Sequence, residues 1–251
     1  MSLFSDKVVL ITGTGGGIGC EAALQFAREG ATVYGCDISQ AQHQASRDLL
    51  SQHGFELKGY GGVDLGDPSQ SKEWIDHVVQ AEGRIDVLFN NASAAKFGHM
   101  ENFSIEDWYF TVRNELDLVF FTTHFAWPHL TKGNVILNMG STAAWCGSTS
   151  TGKVAHTATK GGIVAMTRQL AAEGASKGIR AVSISPGFIK TPGTAAFIEN
   201  PDIKKQLLSG VLLNRPGETS DVINLALFLA SDKASFITGS DHLVDGGMLS
   251  I

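Results

Sequence analysis

"ITGTGGGIGCEA", residues 11–22, links an apolar run, "KVVLIT" (7–12), to a stretch of helical periodicity, "IGCEAALQFAREG" (18–30), which closes on Gly30. A buried strand, a glycine-rich turn and a helix in that order make a cradle for phosphate. Residues without Cβ permit the sharp turn and let backbone N–H groups approach an anion at the positive end of the helix. Gly13, Gly17 and Gly19 follow the spacing T-G-x-x-x-G-x-G, and with Gly16 and Ile18 they are the expected contacts to a pyrophosphate.

Moving outward, "TVYGCD" (32–37) predicts a second strand ending in Asp37. A carboxylate ~20 residues past such a turn can bind both ribose hydroxyls of adenosine. The same charge repels a 2′-phosphate, and Gly16 stands where an arginine would attract one, so NAD(H) is expected over NADP(H).

Strand and helix then alternate. Helices are expected over 40–54, 69–81, 104–130, 154–176 and 221–230, and strands over 56–65, 86–91, 134–140, 179–187 and 241–247. This alternation predicts an α/β architecture: a Rossmann-like, doubly wound parallel sheet of about seven strands with helices on both faces. No linker divides the chain, so residues 1–251 are expected to form a single domain. The segment 187–218, with Pro192, Pro201 and Pro216, reads as a long irregular loop acting as a lid over a site.

Composition narrows the function. Hydrophobic content of 43% with 18% charged residues fits a folded globular protein. A net charge of −6 without a dense Lys/Arg run excludes a nucleic-acid partner. No apolar run is long enough for a membrane span, and "MSLFSDKVVLITG" lacks the pattern of an export signal, so a cytoplasmic location is expected. Cys20, Cys36 and Cys146 are odd in number and share no metal-ligand spacing; reduced thiols and no metal are expected.

The glycine turn, "NNAS" (90–93), a serine in "NMGST" (138–142) and a helix carrying Lys160 together resemble the short-chain dehydrogenase/reductase family over essentially the whole chain. The resemblance implies that Asp64 and Leu65 cradle adenine and that Asn91 and Ala92 flank the cofactor, where relatives read "NNAG". It also implies that "SPGFIKT" (185–191), through Pro186, Gly187, Ile189 and Thr191, embraces the nicotinamide. It further implies a homotetramer, with contacts on the helix after the fifth strand and on the ending "VDGGMLSI" (244–251).

Members of that family carry Y-x-x-x-K, whose tyrosine exchanges a proton with the substrate, whose lysine holds the nicotinamide ribose, and whose partner serine positions the substrate oxygen. Here the serine is Ser141 and the lysine Lys160, but the tyrosine position holds His156. Two more residues than expected lie between Ser141 and His156. The family's relay asparagine falls, counted without gaps, on Glu115; a one-residue bulge would place Asn114 there instead. The asparagine expected after the sixth strand's arginine is Val182.

An imidazole, with a reference pKa of about 6.5 against about 10 for a phenol, suits proton exchange with an alcohol or ketone near neutrality. Glu115 can form a carboxylate–histidine or a carboxylate–lysine pair. Trp145, Cys146, Phe188, Phe197, Phe97 and Met100 are candidate pocket walls, which favours a small-molecule substrate: a small or medium apolar secondary alcohol, ketone or cyclic diol. Two functions stay open: an NAD-dependent oxidoreductase with His156 as acid/base, and a non-catalytic NAD(H)-binding sensor or scaffold.

Overall fold

In the computed structural model, which describes residues 2–250, the first apolar run forms β1 (Val8–Thr12), buried along its whole length. Six strands join it in parallel: β2 (Thr32–Asp37), β3 (Leu57–Gly61), β4 (Val87–Asn90), β5 (Val135–Met139), β6 (Arg180–Pro186) and β7 (Asp241–Val244). Their order is β3-β2-β1-β4-β5-β6-β7. Ile11 is in register with Gly35 on one side and Phe89 on the other. The order reverses between β1 and β4, and the C-terminal strand ends there open the crevice in which such sheets bind ligands.

The helices are α1 (Gly17–Arg28), α2 (Gln40–Gln52), α3 (Pro68–Glu82), α4 (Ile105–Val112), α5 (Leu118–Ala126), α6 (Val154–Gly174), α7 (Ala195–Glu199), α8 (Pro201–Leu208) and α9 (Thr219–Ala230). Alternate strand residues point to opposite faces. Val9, Ile11, Phe89 and Leu137 pack with Phe26 of α1 and Ile223 of α9 on one face. Leu10, Leu88 and Ile136 pack with Trp74 of α3, Leu118 of α5 and Ile163 of α6 on the other. Each such fully buried aliphatic or phenyl side chain contributes about 1.5–3 kcal/mol.

Several expected boundaries are corrected. The expected helical segment 104–130 is helical without a break over 105–129, but not α throughout: a π-helical turn, Arg113–Asp117, lies between α4 and α5, and a 3-10 turn, Trp127–His129, ends it. The π turn accommodates one extra residue, and Pro128 lacks the N–H that would continue the helix. The segment 187–218 is not an irregular loop. It holds a 3-10 turn (Pro192–Thr194), α7 and α8, with Pro192 and Pro201 at first helical positions and Asn200 capping α8 through the N–H groups of Asp202 and Ile203. Prolines there start helices, because the N–H they lack has no intrahelical partner in any case. The third and seventh strands stop short of 65 and 247, where Gly62 (φ 78°) and Gly246 (φ 63°) turn the chain.

Met248 and Leu249 are half-buried, with the Leu249 N–H donating to Asp245 Oδ2 at 2.9 Å; Ile251 lies outside the described residues. Among the described residues, no helix is long and apolar enough to cross a membrane and no cluster of ligands is arranged for a metal ion. Cys20, Cys36 and Cys146 are free thiols.

Candidate active site

The glycine turn closes against the "NNA" segment. Thr12 Oγ1 accepts the N–H groups of Asn91 and Ala92, both at 2.9 Å, and Asn91 Nδ2 donates back to the Thr12 carbonyl at 3.0 Å. A Cβ on Gly13 (φ 72°) would lie 2.8 Å from Ala92 Cα, and one on Gly19 only 2.0 Å from the Gly13 carbonyl oxygen. Neither position admits a side chain. Gly16 caps α1 without a side-chain hydrogen bond, and the first turn of α1 carries no acidic residue. By contrast α2, α3, α4 and α8 are capped by Ser39, Asp67, Ser104 and Asn200. The first N–H groups of a helix have no intrahelical acceptor, so this end is suited to a diphosphate. The turn fits the dinucleotide that the fold implies.

Asp37 ends β2 beside the turn. Its Oδ2 accepts the Gly15 N–H and its Oδ1 the Ser39 N–H, each at 2.8 Å, which fixes the carboxylate at the crevice edge. Asp64 accepts from the Gly66 N–H at 3.0 Å and from Arg113 Nη2 at 2.8 Å, and Leu65 beside it is buried. Thr191, from the segment after β6, lies across the turn: a Cβ on Gly17 would meet its side chain at 3.4 Å. Gly16, Gly17, Thr191 and Pro192 border a cleft of about 590 Å³ between α1, α2 and the segment after β6. Pro186 ends β6, the Gly187 N–H donates to Val244, and Ile189 is buried and bridges to Gly217.

His156, in the first turn of α6, meets Glu115 of the π turn: Nδ1 lies 2.8 Å from Oε1 and 3.0 Å from Oε2. Their side chains are 17% and 1% exposed. Ser93 Oγ donates to Glu115 Oε1 at 2.6 Å, and Thr159 Oγ1 donates to Oε2 at 2.5 Å. Burial alone would raise the Glu115 pKa. The His156 hydrogen bond, the Lys160 charge and the Ser93 hydroxyl outweigh it and hold the carboxyl at about 2. The carboxylate is therefore ionised, and Nδ1 is the donor in this contact.

Lys160, 3% exposed, donates through Nζ to the Met139 carbonyl at 3.0 Å. Burial pulls its ammonium below the usual lysine range, and Glu115 opposes that shift. Ser141 caps the short turn Thr142–Ala144, its Oγ accepting the Ala143 N–H at 3.1 Å. Asn114 shares the π turn but serves the frame: its Nδ2 donates to Phe110 and its carbonyl accepts the Ala94 N–H. The sequence shows Ser93 only as the serine of "NNAS" where the family pattern reads glycine, with no role attached, and gives no signal for Thr159.

The apolar residues do not gather into one wall. The Phe97 ring lies 5.6 Å from the His156 ring, held there as Gly98 bridges to Lys153. Phe188 instead borders a second cavity, of about 490 Å³, with Leu212, Leu213 and Leu243. Trp145, 53% exposed, is tied through Nε1 to Asp241 of β7 at 2.7 Å.

The family model described as enoyl-(acyl carrier protein) reductase matches residues 13–249. The chain belongs to the short-chain dehydrogenase/reductase family of oxidoreductases. It is 36% identical over 248 residues to a 3-oxoacyl-(acyl-carrier-protein) reductase of Thermotoga maritima, covering 97% of this chain and 98% of the relative. It is 34% identical over 250 residues to a cyclohexanol dehydrogenase of an Acinetobacter species, covering 98% and 96%. Among solved structures, a short-chain dehydrogenase from Burkholderia cenocepacia in complex with NADP superposes with a TM-score of 0.91 at 25% identity, covering 98% of this chain and 99% of that one.

Proposed function

We propose that this chain is an NAD(H)-dependent oxidoreductase that interconverts a small or medium, largely apolar secondary alcohol, cyclic diols included, and its ketone, with His156 as the proton acid/base. The His156–Glu115 pair carries this reading. With Nδ1 committed to a buried carboxylate, Nε2 is the ring nitrogen left to accept the hydroxyl proton in oxidation and to return it in reduction. Glu115 orients the ring and stabilises the imidazolium that forms. The phenol of related enzymes relies on its lysine to be acidified; an imidazole does not.

Ser141 accepts from Ala143, which leaves its hydroxyl hydrogen for the substrate oxygen. Lys160, by resemblance, grips the nicotinamide ribose. Gly13, Gly16, Gly17, Ile18 and Gly19 would hold the pyrophosphate, Asp37 the adenosine ribose, Asp64, Leu65, Asn91 and Ala92 the adenosine side, and Pro186, Gly187, Ile189 and Thr191 the nicotinamide. When bound, the dinucleotide accepts or donates the hydride. The fixed Asp37 carboxylate and the bare Gly16 favour NAD(H), although the Burkholderia structure holds NADP. Phe97 beside His156 and the cyclohexanol dehydrogenase relative support an apolar substrate.

A fluorescence titration with NADH, followed by a screen of secondary alcohols with NAD⁺, tests the proposal. Binding with turnover on an apolar cyclic alcohol is expected. Binding with no turnover across the screen would make the chain a non-catalytic NAD(H)-binding protein.

A further inference from the structure

Glu115 is nearly inaccessible to water, hydrogen-bonded to His156 and close enough to Lys160 to feel its charge. A buried carboxylate in that position can pair with either. It turns to His156, while Lys160 Nζ bonds the Met139 carbonyl instead. Two hydroxyls decide the direction. Ser93, from the loop after β4, donates to Oε1, and Thr159, one turn after His156 on α6, donates to Oε2. At 2.6 and 2.5 Å both are the short, charge-assisted kind. The Thr159 hydroxyl also lies 3.0 Å from the His156 carbonyl, but its one hydrogen goes to the charged and nearer acceptor.

The departures from the family pattern meet at this point. Ser93 stands where relatives read glycine, Glu115 lies in the π turn at the relay position it shares with Asn114, and His156 stands at the tyrosine position. The three are far apart in sequence and in contact in space. We propose that Ser93 and Thr159 are positioning residues that hold Glu115 against His156 and so select the ring tautomer with hydrogen on Nδ1 and a bare Nε2. The proposal rests on the acid/base reading of His156 and deepens it.

The test uses the full chain labelled with ¹⁵N-histidine, without cofactor, together with steady-state kinetics. Wild type is expected to show one strongly deshielded, slowly exchanging imidazole N–H resonance that His156→Phe removes. Ser93→Ala and Thr159→Val should each weaken it and lower kcat about tenfold, on the scale of one hydrogen bond. KM and the NADH dissociation constant should stay within about twofold, as for an interaction felt in the transition state. Ser93→Thr and Thr159→Ser should recover what the hydroxyl-free variants lose. Ser93 occupies an exposed loop position, so its alanine variant carries the test should Thr159→Val fail to fold. Wild-type resonance and kcat in Ser93→Ala would overturn the proposal. If the resonance responds as expected while His156→Phe still turns over, the clamp stands and the acid/base reading falls.

Discussion

Glu115 and His156, 41 residues apart, meet with Oε1 2.8 Å from Nδ1. The contact ties the π turn between α4 and α5 to the first turn of α6, so the pair is also a link between elements. Its pH dependence follows from the carboxylate. In the folded chain Glu115 titrates at about 2, against an ordinary 4.5, with the His156 hydrogen bond and the Lys160 charge outweighing burial. A depressed carboxyl adds stability that is present above the ordinary pKa and fades as pH falls through the folded one. Between pH 5 and pH 3 wild type should lose about 2 kcal/mol from this group, and Glu115→Gln should lack that part of the decline. Denaturant unfolding at stepped pH reads the difference; parallel slopes for the two proteins would contradict it.

Asp37 sets the cofactor expectation. Both of its oxygens are oriented by backbone N–H groups, from Gly15 and Ser39, toward a crevice edge where Gly16 offers no cation. Asp37→Ser should weaken NADH binding by about 10–100-fold, the worth of charge-assisted bonds to a ribose, and should tighten NADPH binding. Fluorescence titration with each cofactor checks this. A wild-type preference for NADPH would contradict it outright.

Asp241 gathers three donors: Trp145 Nε1 at 2.7 Å, Ser183 Oγ at 2.6 Å and Ser185 Oγ at 2.9 Å. Both serines are buried, so Asp241→Ala leaves hydroxyls without their acceptor. A loss of about 2–4 kcal/mol is expected, with Asp241→Asn milder because one carbonyl acceptor remains. Urea midpoints at unchanged slope measure it. A midpoint equal to wild type would show that the contact contributes nothing to stability.

Much of the architecture was legible because parallel strands buried on both faces read as continuous apolar runs, as "VVLIT" does, and because glycines such as Gly30 mark helix ends. The proline-rich segment 187–218 reads as irregular but is largely helical. A proline signals a break in one setting and a helix start in another, and only the capping residue, here Asn200, tells them apart. The long fourth helical segment reads as continuous because its π turn keeps the chain helical; the count to the relay asparagine was the one sign of an extra residue. At the site, His156 and Lys160 announced themselves through spacing. Ser93 and Thr159 did not, since their importance lies in which carboxylate they face, a relation between the loop after β4, the π turn and α6 that no local pattern encodes.

The central claim, that the His156 imidazole moves the proton, is tested most directly by His156→Phe, measured for both NADH affinity and turnover of an active secondary alcohol. The dissociation constant should stay within about twofold, as a role confined to proton transfer requires, while kcat should fall about 10²–10⁴-fold, the usual contribution of a positioned acid/base group. Retention of most of the wild-type kcat would contradict the account.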